Sequence, residues 1–463
     1  MRTICASKMN RARIGILTLG CRVNQYESVA LSDRAREAGF EVCGWLDGAE
    51  VGLLNSCALT ALAERKTRRA INDFMRVNPD GRVAVTGCFA QVNPEAVAAI
   101  GGVAWVIPNS AKMDSAELIL SHFAEGGVKI FPESAGGRGF EGLSDCGALS
   151  DRINLKIQDG CNNACAYCII PRARGAPRSR EIGAILSDAE RIVARGAAEI
   201  VVTGINISKF DAPGAGLVGL IDRLDAIVGL KRIRIGSLEP PDFPLEELLE
   251  RMADASHKLC PHMHVSAQSL NDSVLRAMRR RYGSADFLEI VARARWLCPD
   301  ISIGADIVCG HPGEGAREFA DTLEKAKDSG LSYVHAFAFS PRPMTAAAQM
   351  AGAVPRLERA SRAAQMRAVS ESLRTAFFRS QFGKIRPLLL ENMVADGVYL
   401  AHSDNYIGCV VRAGAPGMKN CLLEARIGNP VGAGRVEAFA VSPQEAQKNA
   451  NASKTPCIGG EVV

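Results

Sequence analysis

The chain has 463 residues, of which 47% are hydrophobic and 23% charged, with a formal net charge of +5. This is ordinary for a globular protein with a sizeable core, of about three domains, and its mild basicity permits an acidic partner such as RNA without demanding one. Fifteen cysteines are scattered along the chain, which excludes a small secreted disulfide scaffold and favours metal chemistry with reduced thiols. Only the short apolar run Ile14–Leu19 follows the basic Met1–Arg13. No signal peptide and no run of about 18 apolar residues is present, so a cytoplasmic protein without a membrane partner is expected.

Residues 11–135 read as an α/β unit. Apolar strands at Ile14–Leu19, Val51–Leu54 and Arg82–Thr86 alternate with helices near 25–38 and 61–77, which implies a parallel sheet. Open sheets of this kind bind ligands beyond the carboxyl ends of their strands. Cys21, Cys57 and Cys88 fall there, one after each strand. If the strands are neighbours, the three thiols converge into one ligand set; the alternative is three buried structural cysteines. Residues 136–151, rich in Gly, Ser and Asp, read as a linker.

From Arg152 a strand–helix pattern repeats six times, with strands at Ile153–Gln158, Glu199–Thr203, Arg232–Gly236, His262–Ser266, Ser302–Val308 and Tyr333–Phe339. Six such units predict an incomplete (β/α)6 barrel over residues 152–375, with its active site at the carboxyl ends of the strands. The first strand leads into Cys161-Asn162-Asn163-Ala164-Cys165-Ala166-Tyr167-Cys168. Thiolates are soft ligands suited to zinc or an iron–sulfur cluster. A closed site wants four protein ligands, and no fourth cysteine or close histidine follows within ten residues. A four-iron cluster held by three thiolates leaves one iron open to a small molecule. A zinc loop with a distant fourth ligand, or metal-free cysteines, remains the alternative.

A basic helical stretch spans 355–382, and short strands separated by Gly and Asp then read as a small β-barrel within 376–441. The polar stretch 442–463, with Cys457, reads as disordered.

The string Lys156-Ile157-Gln158-Asp159-Gly160 through Pro171, with Arg174-Gly175 and Arg178-Ser179-Arg180, resembles the methylthiotransferase branch of the radical S-adenosylmethionine (SAM) enzymes. So do Leu19-Gly20-Cys21, Asn55-Ser56-Cys57 and Gly87-Cys88-Phe89-Ala90-Gln91, and the likeness covers about residues 13–430. Cys21-Arg22-Val23-Asn24-Gln25-Tyr26-Glu27-Ser28 resembles the branch acting on threonylcarbamoyladenosine in tRNA. The resemblance implies an α/β fold in three parts: a cluster-binding domain, a partial barrel and an RNA-binding TRAM-like barrel. It implies two 4Fe-4S clusters, one on Cys161, Cys165 and Cys168 and one on Cys21, Cys57 and Cys88, with SAM at the first. Gly204 and Asn206 would lie near the methionine part of SAM, Gln268 near its ribose and Tyr167 near its adenine. The barrel cluster would cleave SAM to a deoxyadenosyl radical, the other would deliver sulfur, and a second SAM would give the methyl group. The partners implied are tRNA, an electron donor and a sulfur source.

Isopentenyladenosine in tRNA and an aspartate of a ribosomal protein are the alternative targets of this chemistry. A non-catalytic iron–sulfur RNA-binding protein is the alternative of another class. RNA-contact candidates are Arg65, Lys66, Arg68 and Arg69; Arg172, Arg174, Arg178 and Arg180; and Arg279, Arg280 and Arg281. Ala267, Leu270, His311 and Met344 depart from the family pattern without touching an expected cluster ligand. His264 and His311 could be ligands, but histidines near a barrel mouth are more often hydrogen-bonded structural residues.

Overall fold

The computed structural model describes residues 12–133, 139–140, 142–143, 152–413, 417–432, 434–442 and 444–445. Most of the expected linker, the end of the expected tail and Cys457 lie outside them. Of the linker, Leu143 is buried in the main core, and the Phe140 ring lies 5.2 Å from the guanidinium of Arg178.

The N-terminal region is a parallel sheet of β1 (Arg13–Thr18), β2 (Glu41–Cys43), β3 (Val51–Ser56), β4 (Arg82–Gly87), β5 (Val103–Val106) and β6 (Lys129–Ile130), in the order β2-β1-β3-β4-β5-β6. The three cysteine-bearing strands β1, β3 and β4 are therefore neighbours. Strand β3 is buried at every residue, as an inner parallel strand requires. The sequence reading missed β2, β5 and β6, which are too short to show a period of their own. Helix α1 (Arg22–Glu37) follows β1, α2 (Ala61–Val77) follows β3 and α3 (Cys88–Val92) follows β4. The Thr60 hydroxyl caps α2 by accepting from the Ala63 amide at 3.1 Å.

The second region is an open arc of six parallel strands: β7 (Arg152–Lys156), β8 (Glu199–Thr203), β9 (Arg232–Ile235), β10 (His262–Gln268), β11 (Ser302–Cys309) and β12 (Tyr333–Ala338). Ser237–Leu238 continues β9 and pairs with β10. Alternation along β10 sends Met263, Val265 and Ala267 outward into the core with Phe287 and Val291. It turns His262 and His264 toward the lumen. Ala267 and Leu270, two of the departures from the family pattern, are fully buried in that outer core.

Helix α1 lies along β7 at one edge of the arc. The Asn154 amide donates to Gln25 Oε1 at 2.9 Å, and Lys156 bonds to Glu27 at 2.8 Å. The long helix Arg356–Gln381 packs on β12 at the other edge and carries Phe377 and Phe378 into the core of a closed five-stranded barrel. That barrel comprises β13 (Ile385–Ala395), β14 (Val398–Ser403), β15 (Gly408–Arg412), β16 (Leu422–Gly432) and β17 (Arg435–Ala440). The turn after β14 plugs the amino-terminal end of the arc. Arg232 donates to the Ser403 carbonyl at 2.7 Å, Arg234 to the Asp404 carbonyl at 3.0 Å, and the Tyr406 ring lies 4.4 Å from that of His262. The carboxyl ends of the strands stay open.

Candidate active site

The loop after β7 is built around its cysteines. Gly160 has φ of +75°, and a Cβ there would meet the Ala176 carbonyl oxygen at 2.0 Å, so the turn into Cys161 requires glycine. The Cys161 amide donates to the Gly175 carbonyl at 3.0 Å, and the Ala166 amide to the Met278 carbonyl at 3.0 Å. The Asn163 amide points at Cys161 Sγ, 3.4 Å away. Arg280 donates to Cys165 Sγ at 3.1 Å and to the Tyr167 hydroxyl at 3.3 Å, and pairs with Glu239 at 2.5 Å. Burial pushes the Cys168 thiol up to about 12, and the neighbouring Cys165 and Cys161 add to the rise. Three soft donors on one short loop, half-buried and without a disulfide, fit an iron–sulfur cluster.

The N-terminal cysteines also come together. Cys21 stands at the N-cap of α1, Cys57 directly after β3, and Cys88 opens α3. Burial pushes Cys57 up to about 12, with Cys88 and Cys21 close enough to add to it. Burial also raises Cys21, and Arg174 pulls it part of the way back. A Cβ on Gly20 would meet Cys57 Sγ at 3.3 Å, so the backbone before Cys21 runs against the second thiol.

A buried charged network joins the two groups. Arg174 ends α4 (Ile170–Arg174), which begins just past Cys168. Its Nε donates to Cys88 Sγ at 3.4 Å and its Nη2 to Asn24 Oδ1 at 2.5 Å, and the guanidinium also pairs with Glu27. Glu27 accepts from Lys112 at 2.5 Å and from Lys156 at 2.8 Å. Burial works against the Glu27 carboxylate, but Arg174, Lys112 and Lys156 outweigh it and hold the group well below the usual range. Asp159 pairs with Lys156 at 3.0 Å and with Arg178 at 3.2 Å. The sequence reading passed over Glu27, Lys156 and Asp159 as members of quoted strings, although acids and bases in an apolar setting are a signal of such a network.

The four expected SAM positions are spread around the mouth. The Asn206 amide donates to Gln158 Oε1 at 2.8 Å, and Asn206 Oδ1 is buried without a partner among the described residues. An orphaned acceptor beside Cys161 fits an ammonium or hydroxyl donor of a bound ligand. Gly204 has a local reason to be glycine, since a Cβ would meet the side chain of Ile207 at 2.9 Å. Gln268 has φ of +61° where the pairing of β10 with β11 shifts register, a strained setting common at binding sites. Tyr167 packs edge-on to His311 at 6.1 Å, and His311 in turn packs on Phe339 at 5.3 Å. His311 is therefore a buried part of the wall behind Tyr167.

The arginine candidates divide. Arg65, Lys66, Arg68 and Arg69 are exposed on α2, beside exposed Leu59 and Leu62. This helix is tied to the barrel loops by the Ala61 amide donating to Ser340 Oγ at 3.1 Å and by an Arg342–Glu64 pair. Arg172, Arg279 and Arg281 are exposed, although Arg281 pairs with Asp242. Arg172 approaches Met344 Sδ at 3.9 Å. Arg174, Arg180 and Arg280 are corrected as RNA contacts. The side chain of Arg174 is 1% exposed and that of Arg280 3%, and Arg180 is buried against Asp188 at 2.7 Å and the Tyr26 hydroxyl at 2.8 Å. Arg178 is half-buried on Asp159.

An open arc with a cysteine loop beyond its first strand is the arrangement of the radical SAM superfamily, whose family model matches residues 155–326. The model of uncharacterized protein family UPF0004 matches residues 13–107. A radical SAM methyltransferase from Kitasatospora setae, solved with cobalamin and a 4Fe-4S cluster, shares the fold with a TM-score of 0.52 at 16% identity, covering 73% of this chain and 77% of that one. The threonylcarbamoyladenosine tRNA methylthiotransferase MtaB of Thermotoga maritima is 32% identical over 85% of this chain and 90% of its own length. That of Bacillus subtilis is 33% identical over 87% and 90%, and that of Chlamydia pneumoniae 36% over 73% and 77%. A tRNA-2-methylthio-N6-dimethylallyladenosine synthase of a Parafrankia species is 31% identical over 82% and 78%. The chain belongs to the radical SAM methylthiotransferase family, and SAM and 4Fe-4S iron–sulfur chemistry are its cofactors. Among the described residues no helix is long and apolar enough to cross a membrane.

Proposed function

We propose that this chain methylthiolates C2 of N6-threonylcarbamoyladenosine at position 37 of tRNA, next to the anticodon, with SAM as both radical source and methyl donor. What supports this best is the joining of two three-thiol groups through Arg174, in a chain 32% identical to a threonylcarbamoyladenosine tRNA methylthiotransferase. Cys161, Cys165 and Cys168 hold the cluster that opens SAM, and Cys21, Cys57 and Cys88 hold the one that carries sulfur. When bound, these groups supply the radical, the sulfur and the methyl group. The protein's part is to hold the thiols, to exclude water with Tyr167 and His311, and to present the base. Asn206 and Gln268 orient SAM at the barrel mouth. Gly204 leaves room beside them.

Three units divide the work: residues 11–135 for sulfur, 152–375 for the radical and 376–441 for RNA. The protein acts in the cytoplasm, where it draws on tRNA, an electron donor and a sulfur source. Exposed Arg65, Lys66, Arg68 and Arg69 meet the RNA backbone.

Mass spectrometry of tRNA nucleosides from cells with and without the gene tests this. The expected result is a gene-dependent gain of one methylthio group on threonylcarbamoyladenosine. A gain on isopentenyladenosine instead transfers the activity to that substrate.

A further inference from the structure

The lumen below the thiol groups is lined by polar side chains that no step above uses. His264 Nε2 lies 3.0 Å from Asp306 Oδ1, and His335 Nδ1 lies 3.4 Å from the same oxygen. The three stand on adjacent strands β10, β11 and β12, in pairing registers that put His264 beside Gly304 and Asp306 beside His335. Their donor atoms lie within 4.8 Å of one another, but the shared carboxylate oxygen already accepts from both rings, so no ion is needed to join them. The Tyr333 hydroxyl sits beneath, 2.9 Å from His262 Nε2, and His262 Nδ1 is buried without a partner among the described residues.

The group faces open space. The side chain of His335 is 51% exposed, and Phe337, one step nearer the mouth on the same face, is 49% exposed. His335 also lines a cavity of about 250 Å³ that continues toward the small barrel past Tyr333 and Tyr406. From the opposite edge of the arc comes Arg22, the first residue of α1 and the neighbour of Cys21. It is close enough to act electrostatically on His262, Tyr333 and Tyr406. No carboxylate pairs with it among the described residues.

We propose that His264, Asp306 and His335, with Arg22 of the opposite edge near the adjoining His262 and Tyr333, form the receptor for the threonylcarbamoyl substituent of the base and reject an apolar substituent. This rests on the reading that the substrate is a modified adenosine attacked at C2. In adenine, C2 and the N6 substituent lie on opposite sides of N1. A base whose C2 points to the thiols at the mouth therefore sends its substituent down the lumen. The threonylcarbamoyl group carries a carboxylate, a hydroxyl and urea N–H groups. Arg22 takes the carboxylate as a charge-assisted pair, Asp306 accepts from N–H or hydroxyl, and His335 completes the set. Phe337 offers a ring face on which the base stacks. An isopentenyl group would cover Arg22 without giving it a partner, and a site built to bond polar groups rejects such analogues far more strongly than an apolar pocket rejects polar ones.

The test uses the reconstituted full-length enzyme and three anticodon stem-loop RNAs, carrying adenosine, threonylcarbamoyladenosine or isopentenyladenosine at position 37. Wild type is expected to bind the threonylcarbamoyl RNA about tenfold or more tighter than the other two, the scale of one charge-assisted hydrogen bond. Arg22→Gln and His335→Leu are each expected to remove that preference while affinity for the adenosine RNA serves as the internal reference. Iron content per chain shows that the clusters are loaded, and His335→Leu, remote from the cysteines in sequence, keeps the test open if Arg22→Gln loses iron. Loaded variants that retain the preference overturn the receptor. Wild type that methylthiolates only the isopentenyl RNA overturns the substrate reading itself, a result visible without any variant.

Discussion

Arg174 Nε donates to Cys88 Sγ at 3.4 Å, from a side chain that is 1% exposed. The same arginine closes the helix that follows the barrel's cysteine loop. One residue thus ties the helix after the barrel's cysteine loop to the N-terminal thiols and puts a full positive charge beside Cys88. Iron–sulfur potentials depend on net charge and on hydrogen bonds to sulfur. Arg174→Gln is expected to lower the midpoint potential of the N-terminal cluster, read by EPR-monitored titration in a chain whose barrel cysteines are serine. The same change leaves Glu27 short of a partner and is expected to cost about 3 kcal/mol in stability. An unchanged potential in a folded, iron-loaded variant would count against the tuning role.

The two thiol groups are expected to separate by mutation. Serine at Cys161, Cys165 or Cys168 should abolish 5′-deoxyadenosine formation under reducing conditions. Serine at Cys21, Cys57 or Cys88 should leave 5′-deoxyadenosine forming while the methylthio product disappears. Chromatography of both products from one reaction distinguishes them. Deoxyadenosine persisting after the first set of changes would remove the radical assignment from that loop.

The strands that carry chemistry were legible because each is a short apolar run ending at a cysteine or glycine. Ile14–Leu19, Val51–Leu54 and Arg82–Thr86 each match an observed strand to within two residues at either end. All six strands of the arc were found as apolar runs separated by helical stretches, and Glu199–Thr203 was read with its observed limits. What could not be read was pairing across the fold. Arg174 and Arg280 look like surface cations in a basic string, and only the approach of Glu27, Asp159, Glu239 and the thiols from elsewhere shows why they are buried. The last strand of the small barrel, Arg435–Ala440, was missed because its apolar residues alternate with charged ones over only six positions. His264, Asp306 and His335 lie on three separate strands, so no local motif unites them.

The seam between the arc and the small barrel has a predictable acid limit. Glu199 is buried between Arg232 at 3.0 Å and Arg234 at 3.1 Å, and these arginines hold the turn after β14. Burial pushes the Glu199 carboxyl up, but Arg234 and Arg232 outweigh it and bring it down to about 2. A depressed folded value means stability that is complete above the ordinary 4.5 and is lost as pH falls toward 2. The full loss is on the order of 3 kcal/mol. Urea unfolding between about pH 5 and 3 should show this loss, and Glu199→Gln should be less stable at neutral pH with a flatter acid limb. A variant with the wild-type slope would place the titration elsewhere.

The exposed face of α2 and the buried Arg280 should fail in different ways. Arg65, Lys66, Arg68 and Arg69 stand in solvent, and among the described residues only Arg69 has a carboxylate paired with it, Asp73 at 3.7 Å. Replacing any one by alanine is expected to weaken binding of an anticodon stem-loop uniformly across sequences and to reduce the salt slope by about 1 for each phosphate no longer neutralised. Arg280→Gln removes the donor to Cys165 and the partner of Glu239, so it should reduce iron retention and SAM cleavage while leaving the salt slope of RNA binding as it was. Binding isotherms at several salt concentrations, beside iron assays, separate the two classes. A salt slope unchanged by the four-residue alanine variant would move the RNA to another face.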